Sequence, residues 1–398
     1  MVSPTLAALA GLVLSFTAPA HAGFSAQSKR NIAIYWGQNS AGQATSQQNL
    51  AAYCASSPVN IIPLAFLTSM NPPTLNFANS AGGCTTPFPS APSLFRCPTI
   101  EADILACQSA NKTILLSLGG ATYTQTGFAS SAAAITAAEN LWAMFGPAQP
   151  ASTVPRPFGA AALDGFDLDF EFPGAYLATF AARLRTLMNA ATDKRYYLSA
   201  APQCPLPDRA LNTVLRNVPL DFVSVQFYNN YCGAPSFGSA RDAGNFNFAA
   251  WDAWAKRSRN PAVKVLVGVP GTPQAAGSGY VSPAQLARVV EYSKRFSSFG
   301  GVMVWDMSQV YSSAGGRRLL NGIVGSLGGV VVPPVTTTTR PPAPTTTSTR
   351  RPTFTLPPPR PGTLRQWQQC GGIGYSGPRV CRAPYRCVRL SQWWSHCN

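Results

Sequence analysis

The sequence predicts an α/β protein: a (β/α)8 barrel followed by an extended tether and a small disulfide-rich β module. Three observations predict it. Eight apolar, strand-like runs are spread over residues 31–307. Ala/Leu-rich segments of helical spacing lie between several of them. A Pro/Thr tract then separates this body from a cysteine-dense tail.

The first element is a leader. Residues 2–20 contain no acidic or basic side chain, Leu6 to Phe16 is apolar, and Ala20-His21-Ala22 has the small-x-small spacing of a signal-peptidase site. The run is too short to span a membrane, and no later stretch is long and apolar enough to do so. Residues 1–22 therefore read as a signal peptide, Gly23 as the mature N-terminus, and the protein as secreted and extracellular, with no membrane partner.

The central body covers residues 23–330. Its strand-like runs are Asn31–Gly37, Asn60–Leu67, Lys112–Gly120, Gly165–Phe172, Tyr196–Gln203, Phe222–Asn230, Val263–Gly271 and Gly300–Met307. Gly174–Ala190 and Ser282–Phe296 are the clearest helical segments. Strand–helix alternation repeated eight times points to a closed parallel barrel. An open doubly wound sheet is the alternative, but no glycine-rich phosphate loop follows a strand. Barrel enzymes place their sites where strands end. Polar residues close many of these runs: Gln38 and Asn39, Ser117 to Gly120, Asp167 to Glu171, Gln203, Gln226 to Asn230, and Trp305 with Asp306.

Residues 331–365 are rich in Pro, Thr, Ser and Arg, a composition that cannot bury a core. At roughly 3 Å per residue the tract could reach on the order of 100 Å. It reads as a tether, with Thr beside Pro suiting O-glycosylation. Residues 366–398 form the terminal module.

Charge and histidine narrow the chemistry. Of the formal net charge of +16, nine arginines after Val332 supply more than half, leaving +7 for the rest. A basic tail can signal nucleic acid, but a Pro/Thr-rich tail on an exported chain suits anionic wall polymers better, and no nucleic-acid partner is expected. The only histidines are His21 and His396, so the mature barrel has none. That removes Ser-His-Asp and Cys-His catalysis and histidine-ligated metals. No cofactor and no metal are expected. The ten cysteines are an even number in a secreted chain and imply five disulfides.

The strongest signal is Leu163-Asp-Gly-Phe-Asp-Leu-Asp-Phe-Glu-Phe-Pro173. Four of the chain's 14 acidic residues fall within it. On a strand Asp167, Asp169 and Glu171 share one face, and Leu168, Phe170 and Phe172 the other. Three carboxylates rising along a buried face cannot all ionise cheaply, so at least one should hold a proton at neutral pH. The outermost, Glu171, is best placed to offer it. A protonated carboxylic acid beside ionised neighbours is what glycosidic cleavage needs. A solvated acidic edge is disfavoured by the intervening Leu and Phe. A calcium site would want an irregular oxygen-rich loop.

Asp164 to Glu171 resembles the DGxDxDxE signature of glycoside hydrolase family 18 chitinases. Ser117-Leu-Gly-Gly120 resembles that family's SxGG motif, and Ile34-Tyr-Trp-Gly-Gln-Asn39 is similar to the first strand of its plant and fungal class III members. The resemblance implies an endochitinase acting by substrate-assisted, retaining catalysis, with chitin or a related polysaccharide as partner. Glu171 would protonate the leaving oxygen while the substrate's 2-acetamido carbonyl attacks the anomeric carbon. Asp169 would orient the acetamide, backed by Asp167, and Tyr228 would bond its oxygen. Trp305 would floor the reacting sugar, with Gln226, Asn229, Tyr35, Phe66 and Gly120 lining the substrate path. Asp164, at the strand's start, reads as structural. The same likeness pairs Cys54 with Cys107, Cys84 with Cys97, and Cys204 with Cys232; spacing alone would allow fifteen pairings of six cysteines. Thr272 to Phe299 is too short to hold an extra α+β domain, which predicts a shallow open groove and endo-type cleavage.

Trp367-Gln-Gln-Cys-Gly-Gly-Ile-Gly-Tyr-Ser-Gly377 with Cys381, Cys387 and Cys397 resembles the fungal family 1 carbohydrate-binding module. That pattern pairs Cys370 with Cys387 and Cys381 with Cys397. A core this small cannot bury Trp367, Trp393 and Trp394 together, so some are exposed, and the resemblance implies that all three form a platform for stacking on polysaccharide. The rival readings are an endo-β-N-acetylglucosaminidase acting on N-glycans and a non-catalytic chitin-binding lectin. The intact acid cluster argues against the lectin, and the polysaccharide module against the glycan enzyme. A monomer is expected. Asn111-Lys-Thr113 is an N-glycosylation sequon at the base of a strand.

Overall fold

The eight apolar runs form eight parallel strands in a computed structural model, which describes residues 23–330 except 56, 124, 150 and 151. Near the C-terminus it describes 363–364, 369–371, 378–389 and 395–397. The strands are β1 (Asn31–Ile34), β2 (Ile61–Met70), β3 (Thr113–Gly119), β4 (Gly165–Asp169), β5 (Tyr197–Ala200), β6 (Phe222–Gln226), β7 (Lys264–Pro270) and β8 (Phe299–Trp305). Each pairs with the next, and β8 closes the barrel on β1 from Asn31↔Gly301 to Ile34↔Val304. A short antiparallel strand, Pro73–Leu75, folds back on β2.

Side-chain alternation divides the apolar residues in two. Ala33, Leu115, Phe222, Leu266 and Met303 point inward and pack with Phe24 and Tyr35. Ile32, Ile34, Leu116, Phe166 and Leu168 belong to the layer shared with the surrounding helices. Phe24 stops the lower end of the barrel, its ring 4.6 Å from Phe222 and 5.2 Å from Tyr197.

Helices α1 (Pro98–Ser109), α2 (Ser131–Phe145), α3 (Leu177–Ala190), α4 (Asn212–Asn217), α5 (Phe248–Arg257) and α6 (Pro283–Ser293) follow β2 to β7; α7 (Met307–Tyr311) and α8 (Ala314–Ser326) follow β8. Ser282 and Gln285 form a capping box that starts α6, and Asp306 caps α7 by accepting from the Gln309 N–H. The first crossover departs from the ideal alternation. Between β1 and β2 the described chain has only a single 3-10 turn, Leu50–Tyr53. A disulfide from Cys54 to Cys107 ties that turn to α1; Cys84–Cys97 and Cys204–Cys232 close two loops at the barrel wall. All three match the expected pairing.

The chain divides into two compact units, Met1–Pro333 and Pro334–Asn398. In the second, Gln369–Gly371, Cys387–Arg389 and Ser395–Cys397 make an antiparallel sheet, stapled by Cys370–Cys387. Cys381 is also disulfide-bonded; the side chain of its expected partner Cys397 lies outside the described residues. Thr363–Leu364, assigned above to the tether, pairs with Val380–Cys381, and Leu364 packs beside Cys370. Folded structure in this unit thus reaches back to residue 363. Trp367, Trp393 and Trp394 lie outside the described residues.

Candidate active site

The site grows out of strand register. Ser117 on β3, Asp167 on β4 and Ser199 on β5 are direct partners across adjacent strands, so three inward side chains meet at one level. Asp167 is buried there and accepts three hydroxyl bonds: Tyr35 at 2.7 Å and Ser117 at 2.7 Å on Oδ2, and Ser199 at 2.6 Å on Oδ1. One level higher, Asp169 Oδ1 accepts from Gln226 Nε2 at 3.0 Å. The other amide hydrogen of Gln226 bonds Ala201 O at 3.0 Å, which fixes that amide's orientation. Glu171 follows, just beyond the end of β4.

Two glycines make the close approach possible. At Gly119 (φ +114) a Cβ would lie 2.4 Å from Asp169 O, and at Gly120 (φ +82) it would lie 2.8 Å from the Phe66 ring. The SxGG stretch is therefore a place where side chains would collide with the carboxylate strand and its aromatic neighbour. Gly120 N–H donates to Asp169 O at 2.8 Å, locking the ends of β3 and β4 together.

An aromatic cluster gathers at the ends of β8, β1 and β2. Trp305 ends β8 and stacks with Phe66 (5.7 Å, 19°), with Tyr35 tilted against both. Tyr228 follows β6 and is buried. Asn229 has φ +56; its Oδ1 accepts from Ser278 N–H at 2.9 Å, tying the β6 loop to the β7 loop.

Among the described residues none of these acids forms an ion pair with a Lys or Arg, and the consequences are electrostatic. Burial raises the proton affinity of Asp167, against the pull of its three hydroxyl donors. Burial, then the charges of Glu171 and Asp167, push Asp169 well above the ordinary carboxylate range. Burial also raises Glu171, with Asp208 adding to the rise and Gln226 opposing it. The expectation was that at least one of the three acids holds a proton, with Glu171 best placed to present it. Asp169 and Glu171 form a pair that keeps a proton where an isolated carboxylic acid has lost it. Tyr228 is held as a neutral phenol by burial and by the same three acids.

Some expectations change. Tyr35 was assigned to the substrate path, but it is 2% exposed and its hydroxyl donates to Asp167, so it supports the acid from beneath. Phe172 was expected in the helix-facing layer. The strand ends at Asp169, the alternation stops, and Phe172 is 49% exposed. Asp164 is at the opposite end of β4, bound to Lys194 Nζ at 2.6 Å and to the Ile114 N–H at 2.8 Å. The motifs missed Ser199 and Asp208. Asp208 is buried after β5 and accepts from the N–H groups of Gln203, Ala210 and Leu211. A lone serine in an apolar strand was the one available signal for Ser199. Among the described residues, the only close cluster of potential metal ligands is Cys370, Cys381 and Cys387, whose sulfurs are in disulfides.

The profile of glycosyl hydrolases family 18 matches residues 31–278. The chain belongs to that family. This family 18 glycoside hydrolase is 52% identical to Endochitinase 33 of Trichoderma harzianum over 313 residues, which are 78% of this chain and 97% of that one. It is 44% identical to a class III chitinase of Arthroderma benhamiae over 315 residues, 76% of this chain and 89% of the relative. Among solved structures, a xylanase and α-amylase inhibitor protein from Scadoxus multiflorus superposes with a TM-score of 0.60 at 30% identity, covering 76% of this chain and 99% of that one. The profile of the fungal cellulose binding domain matches residues 366–394. Because an inhibitor carries the same barrel, the fold alone does not assign the activity, and the site has to. No helix among the described residues is long and apolar enough to cross a membrane.

Proposed function

We propose that this glycoside hydrolase is a secreted, monomeric endochitinase that cleaves β-1,4 bonds between N-acetylglucosamine units with retention of configuration. The observation that carries the reading is the column Asp167–Asp169–Glu171 at the same end of the barrel as the Trp305 cluster. Glu171 is the general acid, protonating the leaving oxygen and later activating water. The nucleophile is the substrate's acetamido oxygen. Asp169, held by Gln226, receives the acetamide N–H, and the charge that develops on the ring beside it is offset by the carboxylate pair. Asp167 fixes the level beneath. Tyr228, a neutral phenol, donates to the acetamide. Trp305 offers an aromatic face to the sugar's C–H face. Asn229 has its amide nitrogen left for a sugar, since its oxygen is held by Ser278.

The relatives' names support chitin as the substrate, and the cellulose-binding profile supports an insoluble polysaccharide. Between β7 and β8 the described chain contains only α6 as regular structure, which supports an open groove and internal cleavage. Residues 1–22 are the leader, 331–362 the tether, and Trp367, Trp393 and Trp394 the stacking platform of the terminal module.

Hydrolysis and binding of chitin oligomers by the wild type and Glu171→Gln test the reading. The variant should still bind but cleave about a thousandfold more slowly. Wild-type binding without cleavage would make the protein a lectin. Release of dimers from one chain end would overturn endo action, and a preference for a glycoprotein over colloidal chitin would transfer the activity to N-glycans. Deleting residues 363–398 should weaken binding to insoluble chitin while leaving soluble oligomers unaffected.

A further inference from the structure

The sequon Asn111-Lys112-Thr113 takes no part in the site. It forms the turn from α1 into β3, at the lower end of the barrel. Asn111 is exposed, with φ +57, a left-handed conformation that asparagine tolerates better than most residues. Its backbone N–H bonds Gln108 O at 2.9 Å, and its side-chain amide has no hydrogen-bond partner among the described residues. The other two sequon residues are sealed. Lys112 is buried with Nζ on Ser57 O at 2.9 Å. Thr113 is buried, and its Oγ1 accepts from the Phe24 N–H at 2.8 Å. The segment that carries Phe24 into the barrel floor is therefore seated on the sequon's own hydroxyl.

We propose that Asn111 carries an N-linked glycan, and that it is attached before Phe24 seats on Thr113. The proposal rests on the secretory reading given above. The donor is an oligosaccharide on a lipid pyrophosphate. Asn111 Nδ2 forms a bond to C1 of the first sugar, the C1–oxygen bond to the pyrophosphate breaks, the pyrophosphate leaves with the electron pair, and one amide proton passes to a base of the transferase. The acceptor is recognised by its hydroxyl as well as its asparagine. In the folded barrel that hydroxyl is covered, so only the chain in transit can be modified. The glycan would not obstruct catalysis. Gly120, nine residues along the strand, is about 25–30 Å away at ~3.3 Å per residue.

The full chain secreted from a eukaryotic host tests this. The expected result is an N-terminus at Gly23 and a peptide in which an N-glycan amidase converts Asn111 to Asp. Asn111→Asp, which keeps the left-handed turn, should lose the mass of one glycan and leave kcat/KM on soluble oligomers unchanged. Folded protein from a bacterial host should stay unmodified with microsomes, whereas the same chain translated into them is modified. An unmodified Asn111 in a secreted chain starting at Gly23 overturns the proposal alone. Modification of the folded protein overturns the order of events. Retention in the cell with the leader uncut overturns the secretory reading, and the proposal with it.

Discussion

Strand β4 carries acids at both ends, and the two ends are built in opposite ways. At the lower end Asp164 meets Lys194, the Gln108 amide and the Ile114 N–H. At the upper end Asp167, Asp169 and Glu171 meet hydroxyls, one amide and one another, with no ion-pairing cation among the described residues. Asp164, Asp167 and Asp169 are each satisfied as hydrogen-bond acceptors. Only the lower end has its charge neutralised. A pairing cation offsets an acid's charge and stabilises the fold, whereas burial among other acids without such a partner keeps a proton available for transfer.

The comparison can be broken in several places. The largest effect belongs to Glu171→Gln, about a thousandfold in kcat, with binding of oligomers retained. Tyr35→Phe removes one of the three donors to Asp167. The expected loss is about tenfold or more in kcat with KM largely kept, read from steady-state kinetics on a soluble oligomer. A KM effect alone would restore Tyr35 to the substrate path. Asp164→Ala should leave kcat unchanged and lower stability by about 1–3 kcal/mol in denaturant titration, since the Ile114 N–H is orphaned; a comparable loss of activity would show that the two ends are not independent.

The smallest and most pointed effect is on pH dependence. Asp169 and Glu171 bind protons more tightly folded than unfolded, so the native state gains stability at low pH. It loses that gain as pH rises from the ordinary carboxylate range, near 4, through the raised folded values. Glu171→Gln should therefore raise Tm near neutrality, and the rise should shrink towards pH 3–4. A Tm rise that is the same at both pH values would mean that the charge is not what burdens the upper end.

Much of this was legible in the chain. Apolar runs located all eight strands, because a parallel strand covered on both faces has few polar positions to blur it. Their upper limits were less legible. The run at Gly165–Phe172 overshot because alternation in sequence persists after the sheet has ended, and Phe172 then turns outward. The acid column was read from spacing alone. Its support was not, because Ser117, Ser199 and Tyr35 come from three strands and meet only through register. Asp208 is brought near by a loop that has no periodicity to read.

The crossover where the described chain has only a 3-10 turn between β1 and β2 is tied to α1 by Cys54–Cys107, and Cys84–Cys97 closes the loop that follows β2. Covalent links there replace the packing that a helix would supply; closing a 53-residue separation is worth about 4 kcal/mol in the chain-entropy picture. The same sector delivers Gln38 and Phe66 towards the groove. Reducing these two links is therefore expected to loosen the side of the barrel from which Phe66 meets Trp305.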